Sequence, residues 1–360
     1  MNNIDSRLVL KKISASKEKL LKCIALSGYM FSVILVLGAM VISQELMGQK
    51  KKVAIGYQGL VNPWKHAINK KTIEKATGYD IAWQRFDSGS SVISAMASGD
   101  LQLGVSGSSG IASAMSRGLP VELFWVLEDI ADAEALVVRK GAGIITPQDL
   151  KGKTIGVPFA ATTHFHLLFA LEQFKIPEKS VKILNMQPNA IASAWSSGTI
   201  DAAFVWDPAL GKIKKSGDVL ITSGLLNSWG KATFDGVMVN AQWGKQNKDF
   251  MVKLVKIIDE IDSSYKKDPS AWSPRSPMVA SIVKLSGADA KSVPATLALY
   301  KFLSLKEQAS PAWLGGGKNS GAARALKFTS EFLKSQKKLP TVQKDYSKFV
   351  NPQYVQAALK

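Results

Sequence analysis

Small hydroxyl residues gather where helices should begin: Ser88-Gly89-Ser90-Ser91, Ser108-Ser109 and Thr162-Thr163. Each group follows a short β-rich run, as does Gln58. A helix start offers free backbone N–H groups and the positive end of the helix dipole, so several together can hold an anion without a fixed cation. Each hydroxyl alone also suits an ordinary N-cap. Two acids, Glu134 and Asp235, open β-rich runs (EALVVRK and DGVMVNAQW) that read as crossings between halves of the chain. An acid there can pair with a ligand ammonium, or form a local salt bridge. Trp206 closes the run DAAFVW, where an indole can pack an alkyl segment or face a cation, or can be core. No nucleophile–base–acid arrangement stands out, so the expected chemistry is binding and not catalysis.

The elements that must position these residues come in two copies. ISAMASGDL (93–101) matches ASAWSSGTI (192–200) at an offset of 99, and Ala54-Ile55-Gly56 matches Thr154-Ile155-Gly156 at an offset of 100. That period is too long for a solenoid and points to two homologous lobes. In each, β-rich runs alternate with helical stretches, which implies an α/β fold with mainly parallel sheets flanked by helices. The first copy reads as VAIGY, a helix near 64–77, YDIAWQRF, a helix over 89–98, LQLGV, GSSGIASAMSRG as the next helix, and VELFWVLE. The second reads as KTIGVP, a helix over 162–174, VKILNM, a helix over 189–197, DAAFVW and VLITSG. The expected organisation is a leader over 1–50, the first part of lobe 1 over 51–137, lobe 2 over 138–234, and a hinge return with lobe 1 completion over 235–360. The C-terminal region reads as helical, packed mainly on lobe 1, with Gly315-Gly316-Gly317 as a flexible turn. Ligands of open parallel sheets sit beyond the carboxyl ends of the strands, where the hydroxyl groups fall.

The first fifty residues read as an address. Lysines at 11, 12, 17, 19 and 22 precede a charge-free run, CIALSGYMFSVILVLGAMVI (23–42). This is the layout of a secretory signal, and twenty apolar residues also suffice for an uncleaved membrane anchor. Residues 1–52 hold nine Lys/Arg against three acids, so the leader supplies +6 of the formal charge of +18. The rest is spread as single lysines and pairs, without a nucleic-acid motif. Cys23 is the single cysteine and opens the apolar run, which excludes an internal disulfide and suits an exported, oxidising location. The histidines are His66, His164 and His166. A His-x-His pair on a helix does not share a face, so no metal is expected. No cofactor is expected either.

The strings FDSGSSVISAMASGD, GSSGIA, EALVVRK, GVPFAATTH, AAFVWDPAL and FLKSQKKLPTVQKDYSKFV resemble the substrate-binding proteins of taurine ABC transporters, within the group that also serves alkanesulfonates and nitrate. The resemblance runs from about residue 52 to 355. It implies a type II periplasmic-binding fold with two crossover hinge strands and a monomeric, exported protein. Such a protein delivers taurine or a related sulfonate to an inner-membrane ABC permease, without nucleic acid as partner. It implies a sulfonate pocket at Ser108, Ser109, Thr162 and Thr163, lined by Gln58 and Trp206. It places Asp235, and Glu134 beside it, at the amine end. One departure is Asp207 in VWDPAL, where the family has a small residue; this acid could cap the following helix or alter ligand preference. The alternatives are a binding protein for an alkanesulfonate or other small anion, and a membrane-tethered sensor built on the same lobes.

Overall fold

The repeat in the sequence is a repeat of sheets. The computed structural model describes residues 50–360, and Lys52–Lys360 form one unit. The leader reading for residues 1–49 lies outside the described residues. Among the described residues, no helix is long and apolar enough to cross a membrane.

The first sheet contains β1 (Lys52–Gln58), β2 (Asp80–Phe86), β3 (Leu103–Gly107), β4 (Val121–Asp129) and, from much later in the chain, β10 (Phe234–Asn240), in the order β2-β1-β3-β10-β4. The second contains β5 (Glu134–Arg139), β6 (Thr154–Val157), β7 (Lys182–Asn185), β8 (Ala202–Trp206) and β9 (Gly217–Thr222), in the order β7-β6-β8-β5-β9. The two orders superimpose. Ile55 and Gly56 of β1 pair in parallel with Leu103 and Gly104, while Ile155 and Gly156 of β6 pair in parallel with Ala202 and Ala203. The residues that match at an offset of 100 therefore hold equivalent sheet positions. Each sheet is mainly parallel, with one crossing strand, β10 or β5, set antiparallel between two others. The strand Glu134–Arg139, which the sequence reading divides at 137/138, bonds along its length to β8 and β9 of the second sheet. The two crossings touch where Ile130 N–H donates to the Thr233 carbonyl at 3.2 Å.

Apolar strands explain the layering. Val53, Ile55, Leu103, Val105, Val237 and Val239 are buried, as are Ile155, Ala202, Phe204 and Leu136 in the other lobe. Burial of this area is the main stabilising term. Three local expectations change. The helix expected over 64–77 is two short helices, Trp64–Asn69 and Thr72–Thr77, because Lys71 adopts a left-handed conformation with φ 54°. The strand expected at 101–105 starts two residues later, at Leu103; before it, the Gln102 side chain accepts from Ala54 N–H at 2.8 Å. The glycine turn at 315–317 is tightly packed and not a loose linker: at Gly315 a Cβ would collide with the Ala309 carbonyl.

The C-terminal region contacts both lobes. The helix Gly321–Ser335 packs on the first-lobe helix Ser108–Ser116. Phe332, Leu333 and Leu339 nevertheless join the second-lobe core, with the Phe332 ring edge-on to Phe165 at 5.2 Å. Gln336 then donates to Glu172, and Lys338 pairs with Glu178 at 2.7 Å.

Candidate functional site

Strand direction explains why the two acids meet. A crossing strand runs against its neighbours, so its first residue lies beside their carboxyl ends. Glu134, first in β5, pairs with Trp206, last in β8; Asp235, second in β10, pairs with Gly107, last in β3. Both acids thus reach the cleft edge from equivalent positions of the two lobes. Between them lies a small pocket lined by Gln58, Gly89, Glu134, Thr162, Trp206 and Asp235 together with residues of the neighbouring helix starts.

Three helices begin at this cavity: Gly89–Ser98, Ser108–Ser116 and Thr162–Gln173. None has a side-chain cap. Their first-turn N–H groups therefore lack a side-chain cap at this edge of the cleft. The hydroxyl groups are not N-caps here. The lobes meet closely. A Cβ on Gly107 would lie 2.8 Å from Thr162 Cγ2, across the cleft.

The expected residues divide into two sets. Gln58, Glu134, Thr162, Trp206 and Asp235 line the cavity. Ser108, Ser109 and Thr163 are buried and do not line it. Ser108 Oγ accepts from Phe234 N–H at 3.4 Å, tying a helix start to β10. Ser109 Oγ and Thr163 Oγ1 are buried without a hydrogen-bond partner among the described residues. Ser90 and Ser106 complete the polar wall, and Ser106 Oγ leaves no space for a Cβ at Gly89.

Asp207 is drawn away from the cavity. Its carboxylate accepts from Gly211 N–H at 2.9 Å and from Thr296 Oγ1 at 3.0 Å, so it fastens the second lobe to the C-terminal region. We expect Asp207→Asn to change ligand affinity by less than about threefold while lowering stability by about 1 kcal/mol, the scale of one hydrogen bond. Calorimetry and thermal unfolding check this; a large affinity loss without a change in stability would move Asp207 into the site.

Burial favours the neutral form of both acids. Burial, then the neighbouring Asp235, pushes Glu134 up to about 8, opposed by the hydrogen bonds it shares with Thr162 and Ser223. Burial pushes Asp235 up to about 7, opposed by the Lys65 ammonium. Lys65 was not singled out from sequence. It is buried beneath the site, with Nζ 4.9 Å from the Tyr57 ring centre and 3.4 Å from Asn62 Oδ1, and Asn62 in turn donates to buried Glu128 at 3.2 Å. Burial lowers Lys65 to about 7. A lone lysine inside GLVNPWKHAI, and a glutamate inside VELFWVLED, were the available signals. His164 and His166 face different neighbours: His164 stacks on Phe159 at 4.4 Å, and His166 contacts Ser223 and the Lys231 carbonyl. No group of three or more metal-ligating side chains occurs among the described residues.

Two equivalent lobes closing over a small polar cavity at the strand ends define a two-lobed solute-binding fold. The chain belongs to the NMT1/THI5-like family, which matches residues 75–269. It is 37% identical over 308 residues to the taurine-binding periplasmic protein of Escherichia coli K12, across 86% of this chain and 94% of that one. Among solved structures it resembles the alkanesulfonate-binding protein SsuA from Xanthomonas axonopodis pv. citri (TM-score 0.67, 21% identity, 82% of this chain and 96% of that one). The desulfurization enzyme DSZB shares the fold at TM-score 0.58 and 14% identity, over 86% of this chain and 99% of that one. Since this fold serves both binding and catalysis, the site must decide.

Proposed function

We propose that this chain is the extracytoplasmic substrate-binding component of an ABC importer, that it binds taurine between its lobes, and that it hands the ligand to an inner-membrane permease. The observation that carries the reading is the juxtaposition of uncapped helix starts with the acids at 134 and 235 around one pocket. The helix starts take the sulfonate, Asp235 takes the ammonium, and Trp206 covers the two-carbon link. In this reading lobe 1 comprises residues 52–129 with β10 and most of the C-terminal region, and lobe 2 begins at β5. Ligand contacts both lobes and so stabilises the closed state over the open one. The protein works as an exported monomer and catalyses no reaction. The identity to a taurine-binding protein over most of the chain supports this ligand.

Calorimetry with taurine and ethanesulfonate tests the reading. Taurine is expected to bind at least about tenfold more tightly, because ethanesulfonate leaves a buried carboxylate without its partner. Equal affinities would remove the amine half of the proposal and favour an alkanesulfonate ligand.

A further inference from the structure

Behind Glu134 lies a chain of hydrogen bonds whose direction can be deduced from its far end. His166 Nε2 lies 2.8 Å from the Lys231 carbonyl. A carbonyl only accepts, so Nε2 carries a proton. His166 Nδ1 lies 2.8 Å from Ser223 Oγ, and Ser223 Oγ lies 3.1 Å from Glu134 Oε2. His166 is fully buried, among the rings of Phe165 and Phe204, at 5.4 and 6.1 Å. A neutral imidazole is the form this setting accepts, because a separated imidazolium and carboxylate would both lose hydration. Neutral His166 with a proton on Nε2 must accept at Nδ1. Ser223 has one hydroxyl proton, and it goes to His166. The contact between Ser223 and Glu134 then needs its proton from Glu134.

We propose that Ser223 and His166 are positioning residues that hold Glu134 as a neutral carboxylic acid, so that Asp235 is the cavity's one carboxylate and the site matches a ligand head with a single positive charge. All four groups of the chain are satisfied: Glu134 O–H donates to Ser223, Ser223 to His166, and His166 to the Lys231 carbonyl. At the other end Thr162 Oγ1 donates to Glu134 Oε1 at 2.5 Å. The Thr162 proton is thereby used, and the lone pairs of its oxygen remain to accept from an ammonium. Glu134, Thr162, His166 and Ser223 all belong to the second-sheet region between β5 and β9 and the helices after it, so the relay does not depend on lobe closure. The other titratable groups near it are Asp235 and Tyr300 beside Glu134, and Lys231, whose ammonium lies over the Phe169 ring at 5.0 Å. Burial raises Glu134 and lowers His166, to about 8 and about 4, in agreement with the neutral pair.

The inference rests on the reading that the cleft takes an ammonium ligand, and two measurements separate its fate from that reading. The first uses no ligand. Nitrogen NMR of the His166 ring, assigned with His166→Phe, is expected to show at pH 7 a neutral ring protonated at Nε2; an imidazolium, or a ring protonated at Nδ1 alone, overturns the relay. The second is calorimetry with taurine. Glu134→Gln keeps a donor toward Ser223 and an acceptor toward Thr162, so it should bind taurine within about tenfold of the parent. A larger loss shows that Glu134 binds as a carboxylate and overturns the proposal. His166→Phe frees the Ser223 hydroxyl to turn to Glu134 and favours its ionised form, so the pH profile of taurine affinity should shift. In a Glu134→Gln background the same substitution should leave the profile unshifted; equal shifts in both backgrounds would mark His166 as merely structural and sink its role. If the parent binds no taurine, the functional reading fails while the ring nitrogens still decide the relay.

Discussion

Asp235→Asn is expected to weaken taurine binding by roughly thirtyfold to several-thousandfold. The carboxylate lies at the wall of the pocket, 6% exposed, and no protein group forms a hydrogen bond to it among the described residues. Truncating one partner of a buried charged pair costs about 2–5 kcal/mol, part of it the penalty for leaving the other charge unpaired, which corresponds to that span of affinities. The asparagine keeps shape and volume, so circular dichroism should match the parent. Dependence on pH gives the same site a second reading. Burial raises Asp235 to about 7 in the unliganded cleft, with Lys65 pulling the other way. Ligand ammonium selects the ionised form. Affinity should therefore level off above about pH 7 and fall as pH drops through it, by up to about tenfold per unit. Asp235→Asn should lose this limb of the profile. Unchanged affinity in the variant, or a parent profile flat from pH 5 to 8, would exclude Asp235 as the ammonium partner.

The second large effect should come from adding one methyl group to Gly107. Its φ is −66°, so the backbone admits any residue there, and the restriction is space. The new Cβ would meet Thr162 Cγ2 at 2.8 Å and approach Asp235 Oδ1 at 3.4 Å. The clash exists only when the lobes are closed. Overpacking of this kind costs about 1–3 kcal/mol, here charged to closure alone, so Gly107→Ala should lower taurine affinity roughly five- to 150-fold. Thermal unfolding without ligand should stay near the parent, since opening the cleft relieves the contact. Adding Thr162→Ser removes Cγ2 and should restore much of the loss. If Gly107→Ala binds as the parent does, the lobes do not close along this contact.

Much of this architecture was legible because it is written twice. Matching Ile55-Gly56 with Ile155-Gly156 located equivalent central strands, and alternation of strand and helix implied mainly parallel sheets. The acids at 134 and 235 were found because each opens an apolar run, and an antiparallel crossing then carries that first residue to the cleft. What stayed hidden has no local signature. Nothing near Lys71 marks a left-handed residue, so one helix was expected where two occur. Ser109 and Thr163 look like Ser90 and Thr162 in sequence, yet the former are buried with unpartnered hydroxyls while the latter line the pocket. The Lys65–Asn62–Glu128 cluster joins residues more than sixty positions apart and could be suspected only from charges inside apolar runs. The relay through Ser223 and His166 likewise depends on contacts of 57 and 89 positions in sequence.

The place of β10 in the first sheet also governs when the molecule can be finished. β4 reaches that sheet only through β10, since the order is β2-β1-β3-β10-β4. β10 follows the entire second lobe in the chain, ending at Asn240. A nascent polypeptide stopped at β9 holds both strands of the second lobe's closing pair, β5 and β9, but leaves a one-strand gap between β3 and β4. The lobe that starts first is therefore completed last. Its unpaired β3 and β4 edges stay open, as exposed strand edges that invite pairing with other chains, until roughly two-thirds of the protein has been made. The same single strand carries Asp235, so the first sheet and the acid we propose for the ligand's ammonium come into being in one event.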